Sequence, residues 1–195
     1  MSWHRENTSK HTIWIIYRRP MGNAERFLKA LSNCGEFTHV ESYCIIAGTG
    51  WTFTNYSFNE MVQTKDCEGS YIVDWVKYAY HAIDVSAQEH AAFVAWNKAQ
   101  VANRCRYNYS DLVFQMIPGA RMFVPDLTTA QALQPKKLFC SQAVLLGLQH
   151  ALAKNSPVAV RLSGINTRTC CPTALAGSLG SILGSPLQAK ACGSR

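Results

Sequence analysis

No acidic residue follows Asp126, so the last 69 of the 195 residues carry seven lysines and arginines with no opposing charge. Charge of either sign is scarce, at 16% of residues against 48% hydrophobic, which excludes a disordered or fibrous chain. None of the eight cysteines stands in a C-x-x-C pair, and the clustered spacing that closes a tetrahedral zinc site is missing. The opening Met1-Ser2-Trp3-His4-Arg5-Glu6 lacks the basic-then-apolar pattern of a secretory leader. A reducing, cytoplasmic setting is therefore expected, with most thiols acting as small core residues. Zinc-finger spacing, an RNA-binding aromatic motif and a long Lys/Arg run are all lacking. The one long uncharged stretch, Thr169 to Ala189, is interrupted by Pro172, Pro186 and several glycines. That composition argues against a membrane span and for a short docked helix starting at Pro172 and ending near Gly184.

What is present is a basic chain of net charge +7, with a second cluster of cations, including Arg5, Lys10, Arg18 and Arg19, near its start. A solvated basic surface accounts for this, while an anionic partner at the termini stays open. The length suits one domain over 1–168, followed by an apolar tail over 169–195.

Local patterning predicts strands before helices. Thr12–Tyr17 is a run of β-branched and aromatic residues. Asn23 can cap a helix reaching Leu31. Phe37–Ala47 and Trp51–Tyr56 read as a hairpin closed at Gly48-Thr49-Gly50, and Tyr71–Val76 as a further strand. Ser86 with Glu89 forms a capping box that opens a helix to about Asn103. Tyr107 to Asp111 leads into a short helix through Met116, which Pro118-Gly119 ends, and Arg121–Pro135 reads as a long loop. A strongly apolar helix then opens at Phe139-Cys140 and runs to Ala151. This order implies an α+β fold with an antiparallel sheet.

Among the thiols, Cys140 holds the position best suited to chemistry. It opens a helix, where unpaired amides and the helix dipole favour an anion, and Lys136 and Lys137 lie just upstream. The same spacing, with Val144, Leu148 and Ala151, also suits a plain core face. A nucleophilic thiol needs an imidazole within reach. His150 is about 15 Å down the same helix and cannot serve. His90 falls in a charged helix and is expected in solvent. His4 and His11 lie in the basic N-terminus, and His81 follows a tyrosine-rich strand end. His39 is the strongest candidate, because Glu41 shares its face of the strand and can orient the ring.

Thr38-His39-Val40-Glu41, the Gly48/Gly50 hairpin and the later Phe139-Cys140-Ser141-Gln142-Ala143-Val144 resemble the circularly permuted NlpC-type papain-like superfamily. That superfamily includes YiiX-like proteins, relatives in large DNA viruses and lecithin:retinol acyltransferases. Its histidine strand precedes its cysteine helix, the order found here between His39 and Cys140. Tyr107-Asn108-Tyr109 resembles a tyrosine-containing segment upstream of the cysteine in YiiX-like members. The resemblance covers 37–151 and implies a papain-like antiparallel sheet with the nucleophile helix packed against it. It also implies catalysis by Cys140 and His39, with Glu41 as the polar third member, although Thr52, Thr54 and Glu60 compete for that place. No cofactor or metal is implied. The expected activity is a cysteine-dependent hydrolase of protease or amidase type, acting on a peptide, amide or acyl-ester substrate. A thiol-dependent acyltransferase or thioesterase, an inactive papain-like scaffold and a basic protein that binds nucleic acid or membrane are the alternatives.

Overall fold

The run Thr-Ile-Trp-Ile-Ile-Tyr-Arg forms strand β1 (Thr12–Arg18), and its apolar residues fall on both faces because both faces are covered. Ile13, Ile15 and Tyr17 enter the main core, while Trp14 and Ile16 join Tyr43 in a smaller cluster on the other side. The structure, a computed structural model, describes residues 11–23, 26, 35–55, 60–65, 77–111 and 123–188. The expected strand at 71–76 and most of the expected helices at 23–31 and 112–116 lie outside them.

β1 is flanked by β2 (His39–Ile46) and β5 (Tyr78–Asp84), and β3 (Thr49–Asn55) and β4 (Met61–Lys65) extend the β2 side. A two-residue strand, β8 (Leu187–Gln188), borders β5, and every pairing in this sheet is antiparallel. Strand β5 has the alternating pattern of one buried face, with Ala79, His81 and Ile83 inward. A two-stranded parallel ladder, β6 (Arg106–Tyr107) with β7 (Lys137–Leu138), stands apart.

The β2–β3 hairpin turns one residue earlier than the glycine spacing predicts. Ala47 and Gly48 both adopt positive φ, the demand of a two-residue turn that matches strand twist. Thr49 and Gly50 already belong to β3, and Gly50 pairs with Ile45. Gly50 is required for space: a Cβ there would lie 2.7 Å from Tyr43 Cζ and 2.8 Å from its Cε2. The Tyr43 ring is held edge-on against Trp14 at 5.4 Å. Gly50→Ala is therefore expected to destabilise the fold by about 1–3 kcal/mol, the usual result of overpacking. Urea titration would measure it, and an unchanged midpoint would show that Tyr43 swings free.

Five helices fall among the described residues. α1 (Ala87–Ala102) carries the Ser86–Glu89 capping box and buries Phe93, Val94 and Trp96. His90 lies on this buried face beside His11, so the expectation of a solvated histidine was wrong. Its apolar neighbours at i+3 and i+4 set the helix rotation. α2 (Thr129–Leu133) interrupts the expected loop with a second capping box, Thr128 and Gln131. α3 (Cys140–Ala151) is buried over most of its length, in contact with β2, β3 and α1. α4 (Pro157–Ser163), capped by Ser156, went unpredicted. α5 (Pro172–Leu183) places Leu175, Ala176 and Leu179 in the main core. Ile182 and Leu183, at the end of the same helix, are more than a third exposed. Among the described residues no helix is long and apolar enough to cross a membrane.

Candidate active site

The thiol and the imidazole meet where β2 and α3 both begin. Phe139 occupies the cap position of α3 without a side-chain cap, so the first amides of the helix point at whatever lies before it. The Cys140 sulfur lies there, hydrogen-bonded to the His39 ring and to the backbone N–H groups of Val40 and Ser141. Burial would push this thiol up, but these contacts and the imidazolium charge outweigh it and hold Cys140 below its ordinary range. Two other buried cysteines provide the contrast. Burial alone raises Cys44 strongly and pushes Cys105 up to about 12.

Burial would depress the His39 imidazolium. Hydrogen bonds to Cys140 and Glu41, with the charges of both, overcome that and push it up to about 9. The ring nitrogen Nε2 lies 3.0 Å from Thr54 Oγ1 and 3.8 Å from Glu41 Oε2. Two polar side chains thus share one side of the imidazole. Glu41 follows His39 by two residues on β2, and Thr54 comes opposite Glu41, one step beyond the Ser42–Phe53 pair. Thr52 pairs with Tyr43, farther along the hairpin. Glu60 is engaged elsewhere, bridging to the Arg106 backbone and facing Arg104 Nε at 3.8 Å.

The contributions of the two neighbours are separable. Glu41→Gln removes the carboxylate charge that holds the proton on His39, so the imidazolium should titrate below about 9. Thr54→Val removes a neutral partner of the ring and should leave that titration nearly in place. Imidazole NMR of each variant against pH reads both, and equal shifts in the two variants would make Thr54 an electrostatic partner as well.

Tyr107 was not among the residues expected to act, yet its hydroxyl reaches Cys140. Burial, the sulfur's charge and the neighbouring Tyr109, together with the bond to Cys140, raise its titration well above the ordinary value. Tyr107 therefore remains a neutral O–H donor beside the sulfur. Its position follows from the β6–β7 ladder, which sets Tyr107 beside Leu138, two residues before Cys140. The Leu138 carbonyl accepts from the Asn108 N–H at 3.0 Å and from Asn55 Nδ2 at 2.7 Å. Asn55 follows Thr54 on β3, so adjacent residues hold the imidazole and the segment that delivers the thiol.

The C-terminal region braces both sides of the site. Ser141 Oγ donates to the Cys170 carbonyl at 2.6 Å, and Thr173 Oγ1 accepts from the Phe37 N–H at 2.8 Å. His81 is far from this chemistry. Its Nε2 donates to the Gly184 carbonyl at 3.0 Å, which leaves Nδ1 to accept from Tyr17 Oη at 3.0 Å. Burial keeps His81 neutral by lowering its titration. His150 is exposed at the far end of α3. Among the described residues no cluster of three or more His, Cys, Asp or Glu side chains is assembled that could hold a metal ion.

No protein-family model, no curated protein and no solved structure matches this chain.

Proposed function

We propose that the protein is a cysteine-dependent hydrolase of peptide or amide bonds, with Cys140 as nucleophile and His39 as proton carrier. The observation that carries this reading is a buried thiol held below its ordinary range by an imidazole that is itself held above its own. Buried thiols with only a packing role behave in the opposite way, as Cys44 and Cys105 do. The α+β architecture and the histidine-before-cysteine order support a permuted papain-like arrangement.

In this reaction the Cys140 thiolate attacks the substrate carbonyl carbon, forming a C–S bond while the carbonyl π pair moves to oxygen. Tyr107 O–H and the helix-start amides are the donors for that oxyanion. The C–N bond then breaks, and the His39 imidazolium gives its proton to the leaving amine. Neutral His39 next takes a proton from water, whose oxygen displaces the sulfur and releases the acid. Glu41 and Thr54 keep the ring oriented through both halves.

The test is to trap the thioester. The chain is mixed with p-nitrophenyl acetate, quenched in acid and mapped by mass spectrometry. An acetyl group on Cys140 alone, absent from Cys140→Ala, is the expected result. Acetylation spread over several cysteines, or none at Cys140, defeats the reading.

A further inference from the structure

A cleft of about 610 Å³ opens against the segment that delivers Cys140. That volume lies within the ordinary range for ligand sites. Its walls include Asn108, which follows Tyr107, and Lys137, three residues before Cys140. Three residues of extended chain span at most about 10 Å, so the Lys137 backbone lies within that distance of the Cys140 backbone.

The charges in the cleft do not cancel. The Arg168 guanidinium donates to both Asp111 oxygens, at 2.8, 3.1 and 3.2 Å, so this buried acid and its partner neutralise each other. Asp126, the last acid in the chain, accepts from the Leu127 N–H and the Thr167 N–H and O–H, and its charge also acts on Arg168. Lys136 and Lys137 are exposed, and among the described residues neither has an acidic partner. The remaining polar wall consists of Ser110, Asn108, Gln131 and Gln134; Asn108 is bound to Ser110 and Asp111, which leaves the two glutamines to pair with a peptide backbone.

Building on the hydrolase reading, we infer that this cleft selects acidic peptide segments. An aspartate or glutamate two or three residues from the bond under attack would lie against Lys136 and Lys137, since an extended peptide advances about 3.3 Å per residue.

The experiment uses the full chain and two peptide probes of one design, read on first mixing: an acetylated glycine-rich octapeptide with a central Asp-Glu pair, and its Asn-Gln counterpart. Each carries a neutral fluorophore. Two quantities are read, peptide binding by anisotropy and the slowing of Cys140 alkylation by bound peptide. The acidic peptide should bind about tenfold or more tightly than the amide peptide and should alone shield Cys140, with the preference fading as salt rises. The K136E/K137E double variant should reverse the preference, and K136Q/K137Q should abolish it. Shielding in each variant is read against alkylation of that same variant without peptide, so a change in the thiol's own reactivity cancels. Equal binding of the two peptides, or a preference that survives charge reversal, overturns the inference while leaving the hydrolase reading intact. Acid-selective binding that does not shield Cys140 also overturns it, because the cleft would then not serve the thiol. The hydrolase reading fails by a separate sign, a Cys140 that without peptide reacts no faster than an ordinary buried thiol.

Discussion

His39→Ala is expected to slow iodoacetamide alkylation of Cys140 several-fold at pH 6.5. The physical basis is the fraction of thiolate. With His39 present, Cys140 titrates below its ordinary range, so more of it is thiolate than in an ordinary cysteine at the same pH. Without the imidazole, burial remains and only the Val40 and Ser141 amides and the Tyr107 O–H oppose it, so the thiol moves back up and its thiolate fraction falls. Hydrolysis should show both limbs. It rises with pH as Cys140 loses its proton and falls as pH rises through about 9, where His39 loses the proton owed to the leaving group. The stability linkage has the matching sign. His39 titrates above its unfolded value of about 6.5, so its contribution is complete below that pH and is lost as pH rises through about 9. Alkylation followed by site-resolved mass spectrometry over this range is the measurement. A His39→Ala chain whose Cys140 still reacts at the parent rate would place the source of activation elsewhere.

The second large effect concerns α5. Leu175→Ala should destabilise the fold by about 2–5 kcal/mol, because the side chain is fully buried and the cavity it leaves is walled by rigid elements. Ile182→Ala and Leu183→Ala, at the exposed end of the same helix, should stay within about 0.5 kcal/mol of the parent. Leu175→Ala should also depress Cys140 reactivity under conditions where the chain is still folded. α5 and its lead-in donate or accept at Ser141 and Phe37, next to the nucleophile and close to the histidine. Truncation after Arg168 should lower the melting temperature further. Urea titration of the three alanine variants, with alkylation rates alongside, tests the claim. A Leu175→Ala chain as stable as Leu183→Ala would mean that α5 rests on the surface.

Several elements were legible from neighbouring residues alone. The Ser86–Glu89 box, the helix opening at Cys140, the Pro172 start and the β1 run each rest on contacts within a few positions, where capping and periodicity act. Elements that local signals name ambiguously were missed or misplaced. β4 and β5 become strands by pairing with β3 and β1, and α2 lies hidden in a Pro- and Thr-punctuated segment. The turn at Ala47-Gly48 was shifted because Gly50 serves the Tyr43 ring rather than the bend.

The site divides in the same way. The sequence by itself determined which residues have the chemistry: a cysteine opening an apolar helix, a histidine opening a strand, and a glutamate two residues later on the same face. Only the tertiary structure decided that Thr54 and Glu41 both attend the ring, that Tyr107 reaches the sulfur, and that Asn55 holds the Leu138 carbonyl. Cap and periodicity are properties of adjacent residues, whose contacts the chain cannot avoid making. The partners of Cys140 lie 101 and 33 positions away, at His39 and Tyr107, and are brought to it only when the sheet, the β6–β7 ladder and α3 pack together.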